Sequence, residues 1–205
     1  MEKLLIYIKH HLSFIWQIIE SVNSALFYPL YNETLERVLA EVLSANFESH
    51  CFCRKLQKED SGLLFKFIND QKKSDLDYFK PHKFDLKSIQ KQFAKRSFLM
   101  MGAFDNERLV GYFFLRFFVT RKCFVGRIID CEYRGRGVGI IMNRIMYETA
   151  WKLDFRCLST ISRNNKSVIK AHARNEYVKI IKELQNDYLL VEFLKHNPIK
   201  KRIPS

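Results

Sequence analysis

From Cys123 to Leu153 the chain reads CFVGRIIDCEYRGRGVGIIMNRIMYETAWKL. The segment Cys123 to Cys131 is apolar and β-branched and reads as a strand, while Val138 to Leu153 carries apolar residues at helical spacing. Arg134-Gly135-Arg136-Gly137-Val138-Gly139 lies between them. A strand that ends in a glycine-rich turn and opens a helix presents several backbone N–H groups to an anion, and the helix dipole adds to the attraction. Arg134 and Arg136 place fixed positive charge beside that turn, which suits a pyrophosphate.

The turn alone fits more than one ligand. It fails the phosphate-loop pattern of nucleoside triphosphatases, because no Gly-Lys-Ser/Thr follows. A dinucleotide-binding unit requires parallel strands and an acidic residue about twenty positions on. Asp154 stands at that distance, but the strands before the turn read as antiparallel. Ser97 to Phe104, a turn at Asp105-Asn106-Glu107, and Leu109 to Phe118 form a hairpin, and Arg121-Lys122 turn the chain into Cys123 to Cys131.

Farther upstream, Cys51 to Leu56 reads as a strand, followed by helices from Glu59 to Phe67 and from Leu86 to Ala94. Downstream come a strand from Phe155 to Ser162, a short helix from Asn165 to His172, and a hairpin of Val178 to Leu184 with Tyr188 to Phe193. The order strand, two helices, three antiparallel strands, helix, strand, helix, two strands specifies a mixed α/β sheet and not an alternating doubly wound one.

Residues 1–48 precede this body as a helical extension. Leu4, Leu5, Ile8, Leu12, Ile15, Trp16, Ile19 and Val22 recur at helical spacing up to Pro29. Asn32 caps a second helix with an apolar stripe of Leu35, Val38, Leu39, Val42 and Leu43. Charged and polar residues interrupt the first run, so it does not read as a membrane span, and no signal-peptide cleavage site follows it. Two readings stand for residues 1–28: a helix packed on the domain or on a second copy, or a helix lying at a membrane surface. The division read from the sequence is therefore 1–48 helical extension, 49–196 mixed α/β domain, and 197–205 basic tail.

The formal charge is +13, although residues 1–48 hold six glutamates against Lys3, Lys9 and Arg37. The basic excess sits in the body, where it favours an anionic ligand. The five cysteines complete no zinc spacing and read as reduced thiols of a cytoplasmic protein, with Cys51 and Cys53 on one strand face. No metal site is expected. The aromatic strand Tyr112 to Phe118 reads as core, and no helix-turn-helix or finger pattern points to nucleic acid.

Arg134-x-x-Gly137-x-Gly139, preceded by Glu132-Tyr133 and an apolar strand, resembles the acetyl-CoA loop of the GNAT acetyltransferase superfamily. The likeness runs from about Cys51 to Phe193 and takes in the element order. Asn164-Asn165-Lys166-Ser167-Val168 is similar to a second motif of that family. The resemblance implies a GNAT-like fold and an acyl-CoA-dependent N-acetyltransferase with acetyl-CoA as co-substrate. It implies that Arg134, Gly135, Arg136, Gly137, Val138 and Gly139 hold the pyrophosphate, that Ile128, Ile129 and Asp130 bond the pantetheine arm as an added strand, and that Asn164 completes the cofactor site.

The family's thiolate-protonating Tyr falls on Ala171, with His172 beside it, and a Glu base of some members falls on Ser159. The usual Gly-Phe after this helix is missing, and Glu176-Tyr177 stand in the region. His172, Asp130 at the strand end, and His82 in Phe79-Lys80-Pro81-His82 are the candidate acid–base residues. Phe-x-Pro-His together with the helical extension resembles family members that acetylate the amine of an often nucleotide-linked sugar for bacterial surface polysaccharides. An amino sugar is accordingly the expected acceptor. A protein, peptide or small amine, and a silent CoA- or RNA-binding module, are the alternatives.

Overall fold

The computed structural model describes residues 13–45, 51–173 and 178–195. The first twelve residues, the expected domain boundary near residues 47–50, Glu176-Tyr177 and the basic tail lie outside the described residues. Seven strands form a single sheet in the order β1-β2-β3-β4-β5-β7-β6. They are β1 (Phe52–Lys55), β2 (Phe98–Asp105), β3 (Arg108–Phe118), β4 (Lys122–Ile129), β5 (Arg156–Ser162), β6 (Val178–Glu183) and β7 (Tyr188–Phe193). All neighbours are antiparallel except β4 and β5. The mixed α/β architecture expected from the element order is the one observed.

Helices cover both faces. The first face carries α1 (Ser13–Ser44) and α5 (Val138–Lys152), and the second carries α2 (Ser61–Asn69), α3 (Lys73–Leu76) and α4 (Leu86–Phe93). A short α6 (Lys166–Ala173) follows β5. Strand alternation sorts the core between these faces. Leu99, Met101 and Ala103 of β2 join the α1–α5 cluster, whereas Phe98 and Met100 join the α2–α4 cluster.

One expectation changes here. Pro29 does not end a first helix: a single α-helix runs from Ser13 to Ser44 with Pro29 inside it, and Asn32 is an interior residue and not a cap. An internal proline removes one helical hydrogen bond and costs about 3 kcal/mol. Pro29 and Ala25, the residue four before it, are both exposed, so the missing bond falls on the outward side of the helix. Phe27 and Tyr31 on either side pack inward. Phe27 stacks on Phe117 with centroids 5.3 Å apart, and Tyr31 meets the edge of Phe155 at 5.1 Å.

Polar contacts fix the same helix. The Asn23 amide donates to the Phe117 carbonyl at 2.8 Å and accepts from the Val119 N–H at 3.0 Å, stapling α1 to the end of β3. Glu20 pairs with Lys95 and lies 3.7 Å from the buried Arg116 guanidinium. The helix thus supplies part of the core of the sheet it precedes. Its outward side keeps Ile18, Val22, Leu26 and Leu30 exposed. Among the described residues, no helix is long and apolar enough to cross a membrane.

Phe27→Ala removes a fully buried ring and is expected to cost about 3–5 kcal/mol. Chemical denaturation should remain one transition by near- and far-ultraviolet circular dichroism. A separate early step, with α1 melting from an intact sheet, contradicts the shared core.

Candidate functional site

The sheet opens at one place. β4 and β5 run parallel and pair over Lys122↔Arg156, Cys123↔Cys157 and Phe124↔Leu158, and there the pairing stops. Each strand then follows its other neighbour. β4 stays paired with β3 as far as Gly111↔Ile129, and β5 stays paired with β7 as far as Ser162↔Tyr188. The Ser159 hydroxyl, donating to the Val125 carbonyl at 2.9 Å, closes the crotch of the resulting wedge. The wedge lies at the carboxyl ends of adjacent parallel strands, where α/β sheets commonly bind ligands.

Antiparallel alternation decides which β4 groups face the gap. The Asp130 N–H donates to the Val110 carbonyl at 2.9 Å, which places the even-numbered residues of β4 toward β3. Odd-numbered residues therefore face β5; Val125 is still engaged there by the Phe124↔Leu158 pair and by Ser159, and Arg127 and Ile129 turn their N–H groups toward the gap beyond it. This refines the expected arm-binding set. Ile129 presents its backbone to the gap, whereas Ile128 and Asp130 are engaged with β3. Arg127 joins Ile129 on the free edge.

Past Ile129 the chain makes a 3-10 turn, Cys131–Tyr133, capped by the Asp130 carboxylate, which accepts the Glu132 N–H at 2.9 Å. Gly135 and Gly137 follow with φ of +77° and +86°, the left-handed region that a side chain strains. Gly137 caps α5, so the N–H groups of Val138 and Gly139 have no intrahelical acceptor. A Cβ on Gly139 would lie 3.1 Å from both the Arg127 guanidinium and Ile129, so this turn must pass close over β4.

The arginines around the turn make distinct contacts. Arg134 donates from Nε to the Ile129 carbonyl at 3.2 Å and pairs with Asp75 of α3 at 2.9 Å, clamping the loop to the strand end. Arg136 lies over the Tyr133 ring at 5.3 Å, and the Tyr133 hydroxyl donates to Asp105 at 2.8 Å. Arg108 bridges Asp130 at 3.1 Å and Glu132 at 2.8 Å. Asp130, expected as an acid–base candidate, has both oxygens occupied by these contacts.

His82 stands apart, on the α2–α4 face. Its ring packs against Phe84, Phe98 and Tyr112. Nδ1 lies 2.7 Å from the Lys83 carbonyl and Nε2 lies 2.9 Å from the Tyr112 hydroxyl. One arrangement satisfies both: Nδ1–H donates to the carbonyl and Nε2 accepts from Tyr112. Burial lowers its pKa to about 4 and outweighs the Lys83 carbonyl, which acts to raise it. None of its contacts reaches Asp130 or the glycine turn. His172 falls in α6, and its side chain lies outside what is described. Asn164 is exposed at the β5–α6 turn, its N–H bonded to the Ser162 hydroxyl at 3.2 Å, while Asn165 accepts the Val168 N–H at 3.2 Å. Among the described residues no group of His, Cys, Asp and Glu could hold a metal ion.

Sequence reasoning missed Arg127 on the wedge edge and Asn143, which accepts from it. A signal for Arg127 was present: it is the charge inside Cys123-Phe124-Val125-Gly126-Arg127-Ile128-Ile129.

His82 also gives a pH dependence. In the unfolded chain its pKa is near 6.5, and in the fold it is about 4. Between those values the unfolded chain takes up a proton that the fold refuses. Stability is complete above pH 6.5 and falls as pH drops through the window, by about 2 kcal/mol between pH 7 and 5. Urea denaturation at both pH values should show this loss, reduced in His82→Gln. An identical loss in the variant excludes the assignment.

No protein-family model matches this chain, and no curated protein does. Solved structures do. The PaiA N-acetyltransferase of Thermoplasma acidophilum, in complex with coenzyme A, aligns with a TM-score of 0.57 and 16% identity, over 69% of this chain and 97% of that one. The GNAT domain of PAT from S. lividans aligns with a TM-score of 0.59 and 13% identity, over 69% of this chain and 88% of that one. AAC(6')-Ib, in complex with paromomycin and acetyl-CoA, aligns with a TM-score of 0.58 and 13% identity, over 77% of this chain and all of the other (100%). At these identities the likeness is one of fold, and the fold is that of the GNAT acetyltransferases.

Proposed function

We propose that the protein transfers an acetyl group from acetyl-CoA to an amine. The observation that carries this reading is the wedge: a parallel strand pair that parts after Phe124↔Leu158, beside a glycine turn that opens α5. The free β4 edge offers N–H groups at Arg127 and Ile129 to the amides of a pantetheine arm, in the manner of an added strand. The uncapped N–H groups of Val138 and Gly139 suit a diphosphate at the end of that edge. Two of the solved structures sharing the fold hold coenzyme A or acetyl-CoA, which supports the same ligand here.

In the proposed reaction the amine nitrogen attacks the thioester carbonyl carbon, the C–S bond breaks, and the proton lost by the amine ends on the CoA thiol. The Arg127 N–H, the first on the β4 edge beyond the crotch, is placed to stabilise the oxyanion. His82, with both ring nitrogens engaged, acts in this reading as a support for Tyr112. Asp130, held by Arg108, shapes the loop. His172 stays the acid–base candidate of the α6 side, and Asn164 the candidate at the end of β5.

An amino sugar is the proposed acceptor class. The Phe79-to-His82 segment and the basic body motivate it, and AAC(6')-Ib, which shares the fold, is held with paromomycin, an aminoglycoside.

Acetyl-CoA should raise the melting temperature, and Gly137→Val should abolish that shift, because the change forces a β-branched residue into the left-handed region. Thiol release should follow when amino sugars, polyamines or peptides are added with acetyl-CoA. A protein that binds acetyl-CoA yet releases no thiol with any acceptor is a sensor, which would overturn the catalytic reading.

A further inference from the structure

Arg127 lies at the centre of the wedge in two senses. Its backbone faces the gap beyond the last β4–β5 pair, and its side chain rises to α5. Nε donates to the Asn143 amide oxygen at 2.7 Å, and Nη1 lies within 3.1 Å of where a Gly139 Cβ would be. Gly139 and Asn143 share a helix face with Tyr147 and Trp151, four residues apart in each step. That face leans over the β5–β7 half of the sheet. Tyr147 stacks on Phe193 of β7 at 4.3 Å, and the Trp151 indole N–H donates to the Phe193 carbonyl at 3.0 Å. The guanidinium thus sits in the roof of the gap, under the first turn of α5.

What it lacks is an acid. Arg54, Arg108, Arg134 and Arg156 each face a carboxylate. Among the described residues, no carboxylate comes within ion-pair distance of Arg127. A desolvated cation without a partner is costly, and the positive end of a helix dipole above it adds to the cost. Burial lowers the guanidinium pKa, in line with that environment. A neutral side chain of similar length would fill the space without this penalty.

We infer that Arg127, oriented by Asn143, is the counter-charge for the diphosphate of the CoA donor. This rests on the donor reading above. The phosphate oxygens would then be shared between the guanidinium Nη groups and the first N–H groups of α5, and a side chain at position 139 would separate the two. The ligand-free protein carries the unpaired charge, and donor binding neutralises it. Replacing Arg127 should therefore stabilise the free protein while weakening the donor, opposite signs that a packing role does not produce.

Calorimetric titration of wild type, Arg127→Met and Arg127→Gln with acetyl-CoA, S-acetylpantetheine and succinyl-CoA tests this, alongside thermal melts of the free proteins. A hydrogen bond to a charged group is worth about 1.5–3 kcal/mol, or roughly 10- to 100-fold in affinity. Acetyl-CoA and succinyl-CoA should both weaken by that factor in each variant. S-Acetylpantetheine, which has no phosphate, should change less than about twofold, and the free variants should melt higher than wild type. Equal weakening of acetyl-CoA and S-acetylpantetheine would place the contact on the pantetheine arm and overturn the inference. Selective loss of succinyl-CoA would place it at the acyl end and overturn the inference equally. Variants that bind acetyl-CoA as wild type does overturn it alone, whereas a wild type that binds no acetyl-CoA refutes the donor reading itself.

Discussion

Everything in this protein turns on a competition for hydrogen bonds between β4 and β5. Each strand has a neighbour on its other side that it keeps to its end, β3 for one and β7 for the other. Between themselves they hold only the pairs from Lys122↔Arg156 to Phe124↔Leu158. Strand twist carries the two halves of the sheet apart from there. Unpaired backbone groups inside a protein are costly, so a free edge of this kind persists where a ligand or water completes it. Ser159 fixes where the opening begins, and the glycine turn fixes where it ends.

The rest of the molecule holds that opening rigid. α5 spans it from above, anchored at its far end by Tyr147 and Trp151 on Phe193. α3 reaches the loop through Asp75, whose pairing with Arg134 ties the glycine turn to the second face. α1 completes the core beneath β2 and β3, with Phe27, Leu35, Val38, Leu39 and Val42 all buried. Charge follows the same plan: Asp105, Asp130 and Glu132 are taken up by Tyr133 and Arg108, and among the described residues no acid pairs with Arg127 or Arg136 at the turn.

The fold was legible in the sequence because its elements follow local rules. Strand alternation, the turn at Asp105-Asn106-Glu107 and the apolar spacing of α5 each specify an element without outside help. Pro29 misled because the rule that proline ends a helix is local, whereas the packing of Phe27 and Tyr31 that overrides it is tertiary. The candidate site was legible in one part, the glycine turn. The β4 edge was placed one step off, at Ile128 to Asp130, since the face a backbone group takes depends on the phase of its ladder with β3. His82 read as a site residue because histidines titrate near neutrality, and only its burial against Tyr112, Phe84 and Phe98 shows how that titration is suppressed.

If the parted strands form the slot for a thioester donor, their free edge must become protected when the donor binds. Amide hydrogen exchange, residue by residue, with and without acetyl-CoA, reads that edge without an intermediary. Exchange should slow at Arg127 and Ile129 and from Gly135 to Gly139, with Ile128 and Asp130 unchanged because β3 already protects them. Protection confined to other surfaces, such as the cavity of about 310 Å³ bordered by α1, β1 and α4, would contradict a donor slot between β4 and β5.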